Sequence, residues 1–253
     1  MIASSTLFTS FIQPNWPAPA NVKALQTTRL GGVSRAPYNS LNVGDHVKDD
    51  PVHVAHNRQL LSDFVPSEPV WLNQVHGTRV IDAALSSCIE TADAAFTDRK
   101  QVVCVTMTAD CLPVLLCDAQ GSMVAAVHAG WRSLCDGVIE ATVESMLARQ
   151  LALKPNQLMA WLGPAIGPQA FEVGSEVRAQ FIAKAPLAEQ AFMPHGDKWL
   201  GNLYLIAQQR LHALGVTNVY GGDMCTYTDE ARFFSFRRDG DTGRMATLIW
   251  LSA

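Results

Sequence analysis

The feature that most restricts this chain is a set of short runs in its middle that are apolar on both faces. Val102 to Met107, Pro113 to Cys117 and Met123 to His128 are mostly apolar or β-branched, with turn residues between them. Such runs are too short for a buried helix, and a strand that is apolar on both faces must be covered on both. Val70 to Val75 and Thr78 to Asp82 are further strand-like runs. The chain therefore has to fold in layers, with strands between other elements.

The covering elements are legible on either side. Asp49, Asp50 and Pro51 form a helix start, followed by a helical pattern to about Phe64. Trp131 to Gln150 reads as one long helix with Val138, Ile139, Val143, Met146 and Leu147 as its apolar stripe. Two more helices are expected at about Ser175 to Lys184 and Asn202 to Leu214. Strands are expected near Val22 to Thr28, Leu158 to Leu162, Val216 to Tyr220 and Met245 to Leu251. This order is mixed rather than strictly alternating, which favours α+β over a doubly wound parallel sheet. No repeat, low-complexity tract or linker divides the 253 residues, so residues 1–253 read as a single domain.

Composition narrows the partners. Nineteen Lys and Arg against 23 Asp and Glu give a net charge of -4, which speaks against a dedicated nucleic-acid binder. No apolar run approaches the ~18 residues of a membrane-spanning helix. Ala18-Pro19-Ala20 imitates a signal-peptidase site, but the first basic residue is Lys23 and polar residues interrupt the stretch before it. The expected location is the cytoplasm. Six cysteines, at 88, 104, 111, 117, 135 and 225, are scattered without a C-x-x-C pair, as buried structural thiols would be.

Polar residues concentrate where strands end. Asn73-Gln74-Val75-His76-Gly77 closes one run, Thr108-Ala109-Asp110-Cys111-Leu112-Pro113 joins two others, and His128-Ala129-Gly130-Trp131-Arg132 opens the long helix. His76, Cys111 and His128 together offer two imidazoles and a thiolate, which zinc takes tetrahedrally with a fourth position open and which also suit copper. The same residues admit a metal-free reading, with Cys111 a nucleophile activated by His76 or His128 and Asp110 nearby. Spacing does not separate the two. The cytidine-deaminase pattern H-x-E with P-C-x-x-C is absent. Seven histidines without an H-x-H are few for several copper atoms, and His53 with His56 reads as a surface pair. Gly130-Trp131-Arg132 is a candidate anion site at a helix start. The loop Gly163-Pro164-Ala165-Ile166-Gly167-Pro168 is either another such site or a plain turn. Arg237 and Arg238 lie beside Phe236 in a stretch that suits a nucleoside or its phosphate, or a solvated loop.

These motifs, in order, resemble the YfiH-type laccase-domain family. The resemblance rests on Thr28-Arg29-Leu30-Gly31-Gly32-Val33-Ser34, Asn73-Gln74-Val75-His76-Gly77, Ala92-Asp93-Ala94 and Thr108-Ala109-Asp110-Cys111-Leu112-Pro113-Val114. It continues through His128-Ala129-Gly130-Trp131-Arg132, Gly163-Pro164-Ala165-Ile166-Gly167, Phe171-Glu172-Val173-Gly174 and Ser235-Phe236-Arg237-Arg238. It implies an α-β-β-α layered sandwich like that of cysteine-hydrolase-like toxin (CNF) domains, and a metal, usually zinc, on His76, Cys111 and His128. It further implies phosphorolysis of adenosine, inosine, guanosine and methylthioadenosine, with adenosine deamination. Two alternatives come with it: a peptidoglycan-precursor editing amidase and a copper-dependent polyphenol oxidase. Within the nucleoside reading, Arg132, Arg29 or Arg238 are the expected phosphate ligands, and Asp110 or Glu172 would assist the base.

Overall fold

Strand Leu112–Asp118 is fully buried and lies at the centre of the molecule. The structure, a computed structural model, describes residues 9–253; the first eight, part of the stretch read above for a leader, lie outside the described residues. Leu112–Asp118 pairs antiparallel with Val124–Ala129 on one side and with Leu158–Leu162 on the other. The sheet continues to Asn218–Gly221 at one edge and through Ala94–Thr97 to Val80–Asp82 at the other, giving six strands. A second sheet of three antiparallel strands has Met245–Leu251 between Val22–Gln26 and Val103–Thr108.

Residue alternation turns these strands into layers. Val114 and Leu116 face one way, onto Leu134, Ile139 and Val143 of the helices after Gly130 and onto Ile206 of helix Leu203–Ala213. Leu115 and Cys117 face the other way and meet Cys104, Ile249 and Leu251 of the second sheet. The far face of that sheet presents Val103, Val105 and Leu248 to Leu61 of helix Pro51–Leu61. The result is helix, sheet, sheet, helix: the α+β sandwich anticipated above, with double-faced apolar strands in its two middle layers.

Several boundaries move. The long helix expected over Trp131 to Gln150 is two helices, Trp131–Asp136 and Val138–Arg149, because Gly137 adopts φ 102° and ends the first. That left-handed conformation suits glycine, which has no Cβ to clash. The run Val70 to Val75 pairs only at Leu72–Asn73 and by a bridge from Val70 to Cys104. Strand Ala94–Thr97 and the hairpin Phe192–His195 with Lys198–Gly201 were not expected. Helix Ser175–Lys184 falls where the pattern placed it.

Candidate metal centre and binding cavity

The two sheets are joined by a connection of three residues, Ala109, Asp110 and Cys111, which carries the chain from Val103–Thr108 into Leu112–Asp118. Cys111 therefore stands at the start of the most buried strand. His128 lies on the neighbouring strand, opposite Pro113 in the register. His76 comes from the loop after Leu72–Asn73. The ligand atoms of His76, Cys111 and His128 all lie within 4.8 Å of one another. Cys111 Sγ is 3.6 Å from His76 Nε2, and the two imidazole rings sit edge to face with centroids 4.7 Å apart. His128 is buried, Cys111 partly accessible and His76 exposed, so the cluster opens to solvent on one side.

Asp93 holds both histidines. Its side chain is inaccessible, and Oδ1 accepts the His76 amide at 2.9 Å and lies 2.8 Å from His128 Nδ1. Oδ2 accepts the amides of Gly77 at 2.7 Å and Val75 at 3.2 Å. With Nδ1–H given to Asp93, the Nε2 of His128 is left as the free donor atom. His76 itself sits at φ 60°, a conformation that side chains other than glycine rarely adopt, and the Asp93 carboxylate ties down its loop there. Burial opposes the Asp93 charge, but the bonds from His128, Gly77 and Val75 outweigh it and hold this carboxyl below its ordinary range.

The thiol and imidazole polarise each other. Burial works against a Cys111 thiolate, yet the His128 charge and the bonds from both histidines overcome it and bring the thiol down to about 6. Burial likewise opposes an imidazolium at His128, but Cys111 and Asp93 lift it to about 9. By contrast, burial pushes the thiols of Cys104 and Cys117 well up. Gly130 completes the geometry. A Cβ there would stand 2.5 Å from His76 Cδ2 and 3.0 Å from Cys111 Sγ, so only glycine lets the two approach the start of the helix. Two imidazole nitrogens and a thiolate, with one side open, form a donor set that fits zinc with a fourth position free. It also suits copper.

The cluster lines a cavity of about 460 Å³, a size that suits a small organic ligand. Three arginines, Arg132, Arg237 and Arg244, reach the same cavity, as does His46. Arg132 is exposed, its guanidinium 4.4 Å over the Trp131 ring. Arg237 donates to the Glu172 carbonyl at 2.8 Å. Burial pulls Arg244 below its usual range, opposed by the charges of Cys111 and Asp110. Thr108 Oγ1, on the same cavity, is buried without a hydrogen-bond partner.

The sequence-derived residues divide sharply. His76, Cys111, His128 and Arg132 come together as expected. Asp110 lines the cavity, but its carboxylate is engaged by Thr226 Oγ1 and by the Arg237 amide, both at 2.6 Å, and so braces two loops. Arg29 lies elsewhere, lining a separate open groove where it donates to the carbonyls of Asn39 and Glu230. Arg238 is consumed by Asp239 and by the carbonyls of Thr226, Tyr227 and Phe233, which makes it a clamp rather than a ligand. Glu172 is paired with Lys198 and His195 on the hairpin. The loop from Gly163 is a plain turn, its amides spent on Pro113, Tyr204, Asp110 and Cys225. Asp93, Arg244 and His46 are the cavity and supporting residues that received no role from the sequence, whereas Arg237 and Phe236, read there as suiting either a nucleoside or a solvated loop, line the cavity. Asp93 left one signal, an acid set between two alanines and followed by Phe96, a setting in which a carboxylate that becomes buried demands partners.

A layered α+β fold with a His–Cys–His cluster in a basic cavity defines a class of enzyme scaffold, and comparison places the chain within it. Residues 23–252 match the family described as multi-copper polyphenol oxidoreductase laccase, and the chain belongs to that family. It is 53% identical to the purine nucleoside phosphorylase YfiH of Shigella flexneri, covering 95% of this chain and 98% of the relative. A purine nucleoside phosphorylase of Pseudomonas aeruginosa is 50% identical, over 96% and 98%. The crystal structure of Neisseria meningitidis protein NMB0706 superposes with a TM-score of 0.93 at 48% identity, over 96% of this chain and all of that one. YlmD of Geobacillus stearothermophilus follows at 0.83 and 29% identity, over 94% of each chain. No helix of the described residues is long and apolar enough to cross a membrane.

Proposed function

We propose that this chain is a cytoplasmic, single-domain purine nucleoside phosphorylase that works with a zinc ion held by His76, Cys111 and His128. Its expected substrates are adenosine, inosine, guanosine and methylthioadenosine, and it also deaminates adenosine. The observation that carries this reading is one cavity holding both the three-donor cluster and three arginines. Phosphorolysis of a nucleoside needs an anion subsite beside a polar reaction centre. In phosphorolysis a phosphate oxygen bonds to ribose C1′ as the C1′–N9 bond breaks, and the electron pair leaves with the purine, which takes up a proton. Arg132, Arg237 and Arg244 would hold the phosphate by charge-assisted bonds and orient it. Asp93 would keep His128 in one tautomer, and the apolar wall at Ile166, Phe171 and Leu203 would exclude water. When bound, zinc supplies Lewis acidity and can bring the pKa of a bound water toward ~7.

The test uses zinc-loaded protein with adenosine, with and without phosphate, followed by chromatography beside a Cys111→Ala control. Adenine and ribose 1-phosphate appearing with phosphate, inosine appearing without it, and neither with the control are the expected results. No turnover in either condition overturns the reading.

A second reading is favoured by the Asp93–His128–Cys111 chain, which has the orienter, base and nucleophile of a cysteine amidase. It predicts release of L-serine from UDP-MurNAc-L-Ser without phosphate. The family's copper name supplies a third, read out as oxygen consumption with a phenol. Among the described residues there is one cluster of at least three such donors, which is enough for a single ion.

A further inference from the structure

We propose that Phe236 selects the substrate by stacking on a planar aromatic ring at the rim of the cavity, so that the pocket reads ring shape rather than the ring's exocyclic groups. This rests on the nucleoside reading above and deepens it. Phe233 and Phe234 are completely buried, whereas Phe236, two residues on, is 58% exposed and lines the cavity. Of the Phe and Trp rings that line the cavity, Phe171 is buried and Trp131 half-buried, so Phe236 is the one with surface left to offer a ligand.

The backbone that carries the exposed ring is nevertheless braced. The Ser235 side chain caps the short helix Phe236–Asp239 by accepting the Arg238 amide. The next amide, that of Arg237, is fixed by Asp110 at 2.6 Å. Arg238 ties the segment to three carbonyls of the loop before it. On the ring itself, the Arg244 guanidinium lies 6.0 Å from the centroid. A half-exposed ring on a braced backbone at the cavity wall has already lost part of the freedom that binding would otherwise remove. The one brace that reaches the reaction centre is Asp110, the residue before Cys111, so the platform and the cluster share a foundation.

Stacking against a base face tolerates any base, because each presents a π-surface. The prediction is therefore a uniform effect across purines. In zinc-loaded full-length protein with saturating phosphate, Phe236→Leu should raise KM for adenosine and for inosine by about tenfold each, the size expected of one stacking contact. kcat and KM for phosphate should stay within about twofold, and Phe236→Trp should restore the nucleoside KM. Phe236 is exposed, so Phe236→Leu should fold as the wild type does, and an unshifted melting temperature checks it. Unchanged nucleoside KM in Phe236→Leu beside a working wild type overturns this proposal and leaves the enzyme assignment standing. A fall in kcat with KM unmoved also overturns it. Absence of turnover and of adenosine binding by the wild type overturns both.

Discussion

Asp93 and His128 are joined twice: Oδ1 lies 2.8 Å from the ring Nδ1, and the Asp93 carbonyl accepts the His128 amide at 2.7 Å. The same carboxylate takes three amides of the His76 loop, so one buried acid sets the direction of both imidazoles. Asp93→Asn keeps the size of the side chain but turns one acceptor oxygen into a donor that faces amide N–H groups. Zinc affinity, measured by competition with a chelator, is expected to fall about 10- to 100-fold. Undiminished affinity would show that the loop and ring hold themselves in place.

The Cys111–His128 pair gives a pH signature in metal-free protein. A thiol lowered to about 6 on folding adds stability that is fully present above the ordinary value of 9.0 and lost as pH falls through about 6. An imidazole raised to about 9 contributes fully below 6.5 and loses its contribution as pH rises through about 9. The charged pair thus persists between about 6 and 9. Iodoacetamide should alkylate Cys111 at a rate that climbs through about pH 6 and is level by pH 8, read peptide by peptide by mass spectrometry. A rate still climbing toward pH 9 would mean an ordinary thiol.

Gly130→Ala tests the crowding around the cluster. The backbone there has φ -60°, which any residue accepts, so the consequence comes from the Cβ meeting His76 and Cys111. His76 is on a loop and must yield first. We expect zinc affinity to drop at least about tenfold, while the metal-free protein melts close to the wild type. Retained affinity would show that the His76 loop can retreat and still ligate.

Thr108→Val removes a buried hydroxyl that has no partner and replaces it with a methyl of similar shape. An unsatisfied buried polar group costs about 1–3 kcal/mol, so the substitution should stabilise the protein by about 1 kcal/mol in urea unfolding. A lower midpoint would reveal a bond to this hydroxyl in solution.

Much of this architecture was written in periodicity. The strands Leu158–Leu162 and Met245–Leu251 fall on the residues the apolar runs mark, because strands buried on both faces have no polar positions to blur their ends. The helix after Gly130 was misjudged since its apolar stripe continues past Gly137, and only the backbone angle reveals the break. His76, Cys111 and His128 were legible as reactive types at strand ends, although nothing local announced that gaps of this size close in space. The arginines were legible only in part, Arg132 lining the cavity from the helix start where the sequence put it. Arg237 and Arg238 are adjacent and chemically identical, and which one faces the cavity depends on how the loop from Thr226 to Phe233 folds back. Arg29 carries a motif-like setting, yet its partners are carbonyls of distant segments.

The three-residue passage between the sheets has a last implication. Cys111 immediately precedes a strand that is hydrogen-bonded on both sides and packed between two apolar layers, so its backbone is anchored to the core of the molecule. His76 is exposed on a loop outside the two main sheets, tied to them through the Asp93 carboxylate and through Gln74, whose side chain bonds the Met107 amide and carbonyl. Ion capture and loss should then proceed unevenly, with Cys111 and His128 as a standing anchor and His76 as the arm that closes last and lets go first.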